Sequence, residues 1–173
     1  MDNSFFAYLQ QLELMAFFSG YPLIYAVTFY LAGRPQEKNN FRSRIGALLP
    51  YAYALVGTLY LGFQLKKLYP DYSIENIKLT MQQPWLITWS LLSILFWIPA
   101  LGKKTIFSLI HSLVFFFILI RDIFLQLFAS SDKSMVRNDM SVYSNSLLLN
   151  MGALTLVILL SFLSARYKNR LRS

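Results

Sequence analysis

The sequence predicts an all-α, polytopic membrane helical bundle with five transmembrane helices. Three observations lead there. The chain is 56% hydrophobic and only 14% charged, where a soluble domain carries about 25% charged residues. Its apolar residues gather into five runs, each near the ~20 residues that cover a ~30 Å hydrocarbon core. The basic residues collect in the connections on alternate sides of these runs, the distribution that the positive-inside rule produces. Five spans and their loops use up the 173 residues, so the chain reads as a single integral membrane domain, 1–173. Helices are required because an unpaired backbone cannot cross lipid, and the runs are too long and too uniformly apolar for barrel strands.

The first run spans Leu14 to Gly33, with an interfacial turn from Phe5 leading into it. Gly20-Tyr21-Pro22 marks a kink site within it, since proline removes a backbone donor and crowds the preceding turn. Met1-Asp2-Asn3-Ser4 lacks the basic start of a signal peptide and no small-residue cleavage site follows, so the run is expected to be a retained span. The second run is Ile45 to Phe63. The connection Gln64 to Pro84 contains Ser73 as a helix cap, followed by Ile74, Ile77 and Met81 at helical spacing, which predicts a short helix on the outer surface. The third run is Trp85 to Leu101, with Pro99 as a second kink site. Gly102-Lys103-Lys104 then forces an antiparallel hairpin with the fourth run, Thr105 to Phe128, which Arg121-Asp122 interrupts. The fifth run is Ser146 to Leu163.

Orientation follows from counting bases. Arg34, Lys38, Arg42, Arg44, Lys103, Lys104, Arg166, Lys168, Arg170 and Arg172 fall on one side; Lys66, Lys67, Lys78, Lys133 and Arg137 fall on the other. Ten against five predicts an outer N-terminus and a cytoplasmic C-terminus. Trp85, Trp89, Tyr60, Tyr69 and Tyr143 are expected at the outer interface and Trp97, Tyr30 and Tyr167 at the inner one, as aromatic belts. With no Asn-x-Ser/Thr acceptor and a small chain, the expected location is a bacterial cytoplasmic membrane.

Composition also excludes function classes. The net charge of +8 sits in short loops beside apolar runs and forms no basic face on a soluble fold, so nucleic acid is rejected as a partner. The chain has no cysteine, which removes disulfides, thiolate metal sites and thiol nucleophiles together. One histidine cannot supply bis-histidine haem ligation, and with so few carboxylates it cannot build a zinc site; no metal and no cofactor is expected. No H-E-x-x-H, P-loop or dinucleotide glycine fingerprint occurs.

The residues that remain are polar groups where polarity is costly. Glu13 lies near the outer end of the first span, Arg121, Asp122 and Gln126 toward the outer end of the fourth, and Asn150 a few residues into the fifth. Ionisable groups at such depths face the bundle interior and pair. The expected pairing is Glu13 with Arg121, completed by Asp122 and Asn150. The bland reading is an interfacial or structural cluster, with Arg121 snorkelling; the sharper one is a ligand or ion site. His111, Ser108, Asp122 and Gln126 share one stripe of the fourth helix, with Ser112 beside it, and that stripe is expected to face protein. It suits a hydrogen-bonded packing face or a proton path; a lone buried histidine is more often the former.

Gly46, Pro50, Ala54, Thr58 and Gly62 recur at every fourth position of the second span. Small residues at this spacing let helix backbones approach in lipid, so the stripe is expected to pack within the bundle or against a partner. The role read from all this is a non-enzymatic accessory or scaffold subunit, with the bilayer, a membrane-protein partner or a second copy as its contacts. The alternatives are small-molecule or ion handling through the outer polar cluster, and a lipid-modifying enzyme depending on His111.

Overall fold

The computed structural model describes residues 3–32, 41–80, 83–128 and 133–170. Those residues are almost entirely helical. In chain order the elements are α1 (Asn3–Phe18), α2 (Tyr21–Ala32), α3 (Phe41–Leu68), α4 (Ile74–Thr80), α5 (Pro84–Leu91), a 3₁₀ segment (Leu92–Trp97), α6 (Pro99–Gly102), α7 (Thr105–Phe128) and α8 (Lys133–Arg170). Four stretches are long and apolar enough to cross a membrane: Gln11–Tyr30, Arg44–Leu68, Thr105–Phe128 and Arg137–Lys168. They correspond to the first, second, fourth and fifth apolar runs.

The first run is two helices in series. The break falls at Ser19-Gly20, one residue short of Pro22, which lies in the first turn of α2 and whose missing N–H cannot continue the ladder. Gly33 and the connection after it lie outside the described residues. Pro50, by contrast, sits inside the unbroken α3.

The third run departs from a single regular helix. Pro84 opens α5, the chain tightens to 3₁₀ over Leu92–Trp97, and Ile98 is extended at φ −71°, ψ 124° before Pro99 starts α6. A residue preceding proline is driven out of the helical region, so Pro99 breaks the helix outright instead of kinking it. The tightened turn is also where this run meets α3 most closely. A Cβ on Gly57 would overlap the Ser93 side chain and come within 3.3 Å of the Ile94 backbone nitrogen.

The short surface helix is present as α4. Ser73 caps it, its hydroxyl accepting from Asn76 N at 3.2 Å, while Asp71 Oδ1 accepts from Ser73 N at 2.9 Å. Met81 lies outside the described residues.

The last helix is much longer than its apolar run, with 38 residues. At about 1.5 Å per residue it is ~57 Å long, against a ~30 Å core. The sequence boundary at Ser146 marked where continuous apolarity begins; the helix itself starts at Lys133.

The core is aromatic. Phe18 stacks on Phe115 with centroids 4.8 Å apart and meets Tyr53 and Tyr60 edge-on at 5.7 and 5.4 Å. Tyr21 and Tyr53 pack at 4.4 Å. In lipid, such packing and interhelical hydrogen bonds replace the hydrophobic drive that holds a soluble core. Tyr60, expected in the outer belt, is instead fully buried in this cluster. Trp85, Tyr69, Trp97, Tyr30 and Tyr167 are exposed, as belt residues are. Much of α7 and α8 presents large apolar side chains outward, including Phe117, Phe124, Leu148 and Leu159.

Candidate functional site

The polar stripe of α7 does face protein. Ser108, His111 and Ser112 are buried, and His111 sits where α3, α5 and α7 meet. Its Nε2 lies 2.8 Å from the Trp89 carbonyl oxygen, and its Nδ1 lies 2.7 Å from the Tyr53 hydroxyl. A carbonyl can only accept, so Nε2 carries a proton and donates to it; Nδ1 of the uncharged ring then accepts from Tyr53. The Trp89 ring stacks on the imidazole at 4.8 Å and 6°, and Tyr53 and Phe96 approach its edge. The indole N–H of Trp89 reaches the His111 carbonyl at 3.3 Å. Both ring nitrogens are therefore engaged, and Trp89 covers one ring face.

A second relay lies one turn away on α7. Ser108 Oγ donates to the Thr105 carbonyl at 2.7 Å. Its single proton is used there, so Tyr21 donates to Ser108 Oγ across 2.7 Å. This ties α2 to α7 beside the Tyr21–Tyr53 ring contact.

The outer-cluster residues sort into different partnerships from the expected one. Glu13 pairs with Lys67 of α3. Arg121 pairs with its neighbour Asp122, Nη2 to Oδ1 at 2.9 Å, and Asp122 Oδ2 also accepts from Gln11 of α1. Gln126 donates to Asp139 at 2.9 Å. The Glu13–Arg121 pair is thus replaced by two separate pairs. The reason is direction: Arg121 points outward with 65% of its side chain exposed, whereas Glu13 faces α3. Residues 11, 13, 67, 122, 126 and 139 still gather at one end of the bundle. Gln11, Lys67 and the fully buried Asp139 were missed. Asp139 was legible only by extending the fifth helix beyond its apolar run.

Asn150 belongs to neither pair. It repairs the break in the first run: Nδ2 donates to the Phe17 carbonyl and to the Ser146 carbonyl, both at 2.8 Å. Ser146, one turn earlier, accepts from Gly20 N at 2.9 Å. Backbone groups freed by the α1–α2 break are thereby satisfied from α8, which a helix interruption in lipid requires. Gly20 itself permits the approach, since a Cβ there would lie 2.6 Å from Leu147 N.

The small-residue stripe divides. Pro50 and Ala54 are buried, while Thr58 and Gly62 are exposed. A Cβ on Gly46 or Gly62 would meet nothing within 4 Å. Thr58 Oγ1 donates to Ala54 O at 2.9 Å and accepts from Trp97 Nε1 at 3.0 Å. Gly57, beside the stripe, makes the close backbone contact.

Buried polar atoms without a partner in hydrogen-bonding geometry among the described residues include Asn150 Oδ1, Tyr60 Oη and Gln64 Nε2. The last two lie one turn apart on α3, a turn before Lys67. Among the described residues, no three His, Asp or Glu side chains converge as a metal site would need. No family model, curated protein or solved structure matches this chain.

Proposed function

We propose that this protein is a five-crossing membrane protein, N-terminus outside and C-terminus cytoplasmic, that serves as a non-enzymatic accessory or scaffold subunit in a bacterial cytoplasmic membrane. The observation that carries the role is the engagement of His111. The one side chain suited to proton transfer at neutral pH is hydrogen-bonded at both nitrogens and stacked against Trp89. A general base needs a nitrogen within reach of its substrate, and this one has none to offer. The broad apolar faces of α7 and α8 leave area for lipid and for a partner helix.

The fifth crossing is the run from Pro84 to Gly102. Eight α-helical residues and six 3₁₀ residues advance about 24 Å at ~1.5 and ~2.0 Å per residue. The turn of α6 brings the total near the ~30 Å that a crossing needs. The excess of bases beside Arg44, Lys103 and Arg166 sets the orientation.

A second reading, small-molecule or ion binding at the outer end, draws on one observation. Tyr60 Oη and Gln64 Nε2 are buried without partners one turn from the Glu13–Lys67 pair, and a ligand oxygen would satisfy both. Mild-detergent extraction of the tagged protein followed by native mass spectrometry separates the two. A stoichiometric protein partner is the expected result. A chain that emerges alone with a discrete small-molecule mass, lost on Gln64→Leu, would replace the scaffold reading with the second.

A further inference from the structure

The two ends of the bundle differ in charge. The described carboxylates, Glu13, Asp71, Glu75, Asp122 and Asp139, all lie toward the end where Lys67 and Gln126 sit. At the opposite end α3 begins and α8 finishes, and there Arg44, Arg166, Lys168 and Arg170 are exposed. Among the described residues no carboxylate pairs with Arg44.

At that basic end a crevice opens between α3 and α8, lined by Arg44, Ile45, Leu48, Ile158, Ser161 and Phe162. Its lining is graded along its length. On α3, Leu48 lies one turn deeper than Arg44. On α8, Ile158, Ser161 and Phe162 follow one face toward the end, and Arg166, one turn past Phe162, continues it. The apolar part therefore lies at acyl-chain depth and the cationic part at headgroup depth. Gly46, beside Ile45, adds no side chain to the neighbouring surface, and a Cβ there would stand in open space.

We infer that this crevice is a binding site for one anionic glycerophospholipid, with an acyl chain against Ile45, Leu48, Ile158 and Phe162 and the phosphate held by Arg44 and Ser161. Each part of the ligand meets its complement. Arginine binds a phosphate through a planar fork of donors, a serine hydroxyl adds one more, and basic pockets between membrane helices suit anionic headgroups. A second protein helix would match the apolar lining and leave Arg44 without an anion. A zwitterionic lipid would place a second cation beside Arg44 and Arg166.

The test is native mass spectrometry of the protein in detergent, titrated with phosphatidylglycerol or with phosphatidylcholine of the same chains. A single saturable phosphatidylglycerol adduct is expected, with little phosphatidylcholine. Arg44→Gln should lower its occupancy about fivefold, the weight of one surface charge. Lys103→Gln/Lys104→Gln, which removes two bases outside the crevice, should leave it unchanged. Leu48→Trp should block the site by filling its apolar part. If a variant does not fold, competition on the native protein decides: glycerol phosphate without acyl chains should fail to displace the adduct. Equal binding of both lipids, or equal losses from the Arg44 and Lys103/Lys104 variants, would show a diffuse surface charge and overturn the site. A dimer mass that excludes lipid would give the crevice to a second copy and overturn it too.

Discussion

Tyr53 on α3 donates its hydroxyl to His111 Nδ1 on α7 across 2.7 Å, and the Trp89 carbonyl accepts from the opposite nitrogen at 2.8 Å. One imidazole thus joins three segments of the bundle through a ring that has no free edge. Tyr53→Phe keeps the packing and strands Nδ1 as a buried acceptor, which costs about 1–3 kcal/mol. His111→Phe strands the Tyr53 hydroxyl and removes one of the donors to the Trp89 carbonyl, which keeps a backbone N–H at the end of α5. The double variant should lose less than the two single losses combined, because the shared bond is removed only once. Thermal midpoints in detergent give the cycle, and strictly additive losses would show that the bond contributes nothing.

The glycines separate bundle contacts from open faces. Gly20→Ala drives a Cβ to 2.6 Å from the Leu147 backbone nitrogen, and backbone cannot step aside cheaply. Overpacking of this kind costs about 1–3 kcal/mol. Gly62→Ala has nothing within 4 Å to strike and should leave the melting temperature unchanged or slightly higher, since alanine favours helix. A bulkier Gly62→Leu that preserves stability but removes a copurifying protein would locate the partner on that face of α3. Equal destabilisation by Gly20→Ala and Gly62→Ala would contradict the helix arrangement described here.

Asn150 and Ser146 act on one defect, the break at Ser19-Gly20. Asn150→Leu, close in volume, removes the donor to the Phe17 carbonyl, and Ser146→Ala removes the acceptor of the Gly20 N–H. Each should destabilise by about 1–3 kcal/mol, the range for leaving one buried backbone group unpaired. Faster amide exchange confined to residues around Phe17 to Ile24 is the distinguishing signature. Uniform loosening of the whole chain would argue against a local repair.

The charged pairs are expected to couple as the structure joins them. A double-mutant cycle on Glu13→Gln and Lys67→Gln should show a coupling of ~0.2–1 kcal/mol, the scale of partly exposed pairs. Glu13→Gln and Arg121→Gln should be additive. Asp122→Asn should cost more than Arg121→Gln, because Asp122 is 17% exposed and also accepts from Gln11, while Arg121 is 65% exposed. A measurable Glu13–Arg121 coupling would restore the pairing that depth alone suggested.

That contrast marks what a sequence of this kind exposes. Depth is readable, because each residue's distance from the end of an apolar run follows from the helix rise. This placed Glu13, Asp122 and Gln126 at a common level, and it placed Ser108, His111 and Ser112 on one buried face. Direction across the bundle is not readable, because it depends on which helices become neighbours. Glu13 therefore acquired Lys67 as its partner, and Asn150 went to the Phe17 carbonyl. The Gly20 break was legible from Pro22, and the α4 cap from Ser73. The 3₁₀ turn at Leu92–Trp97 was not. An apolar run has the same composition whichever helix it forms, and the tightening coincides with a contact at Gly57 that lies one residue off the small-residue stripe.

The crossing by Pro84–Gly102 is open to a direct test because the chain has no cysteine of its own. Single cysteines at Glu75, in the exposed α4, and at Lys103, in the exposed turn before α7, report one position each to a membrane-impermeant maleimide. The two sites flank only this run. If it crosses, the Glu75 site reacts in intact cells and the Lys103 site reacts only after the membrane is opened. If the run instead folds back within one leaflet, both sites react from the same side, and α7 and α8 then cross in the reverse directions. The charge distribution favours the crossing. With the run folded back, Lys103, Lys104 and the four C-terminal bases would join Lys66, Lys67 and Lys78, a division of nine against six in place of ten against five. An added cysteine at Lys168 should match Lys103 in either case, because the antiparallel pair α7–α8 returns the chain to the side from which it left; it reports that both of these helices cross, and its side relative to Glu75 then decides whether the run does.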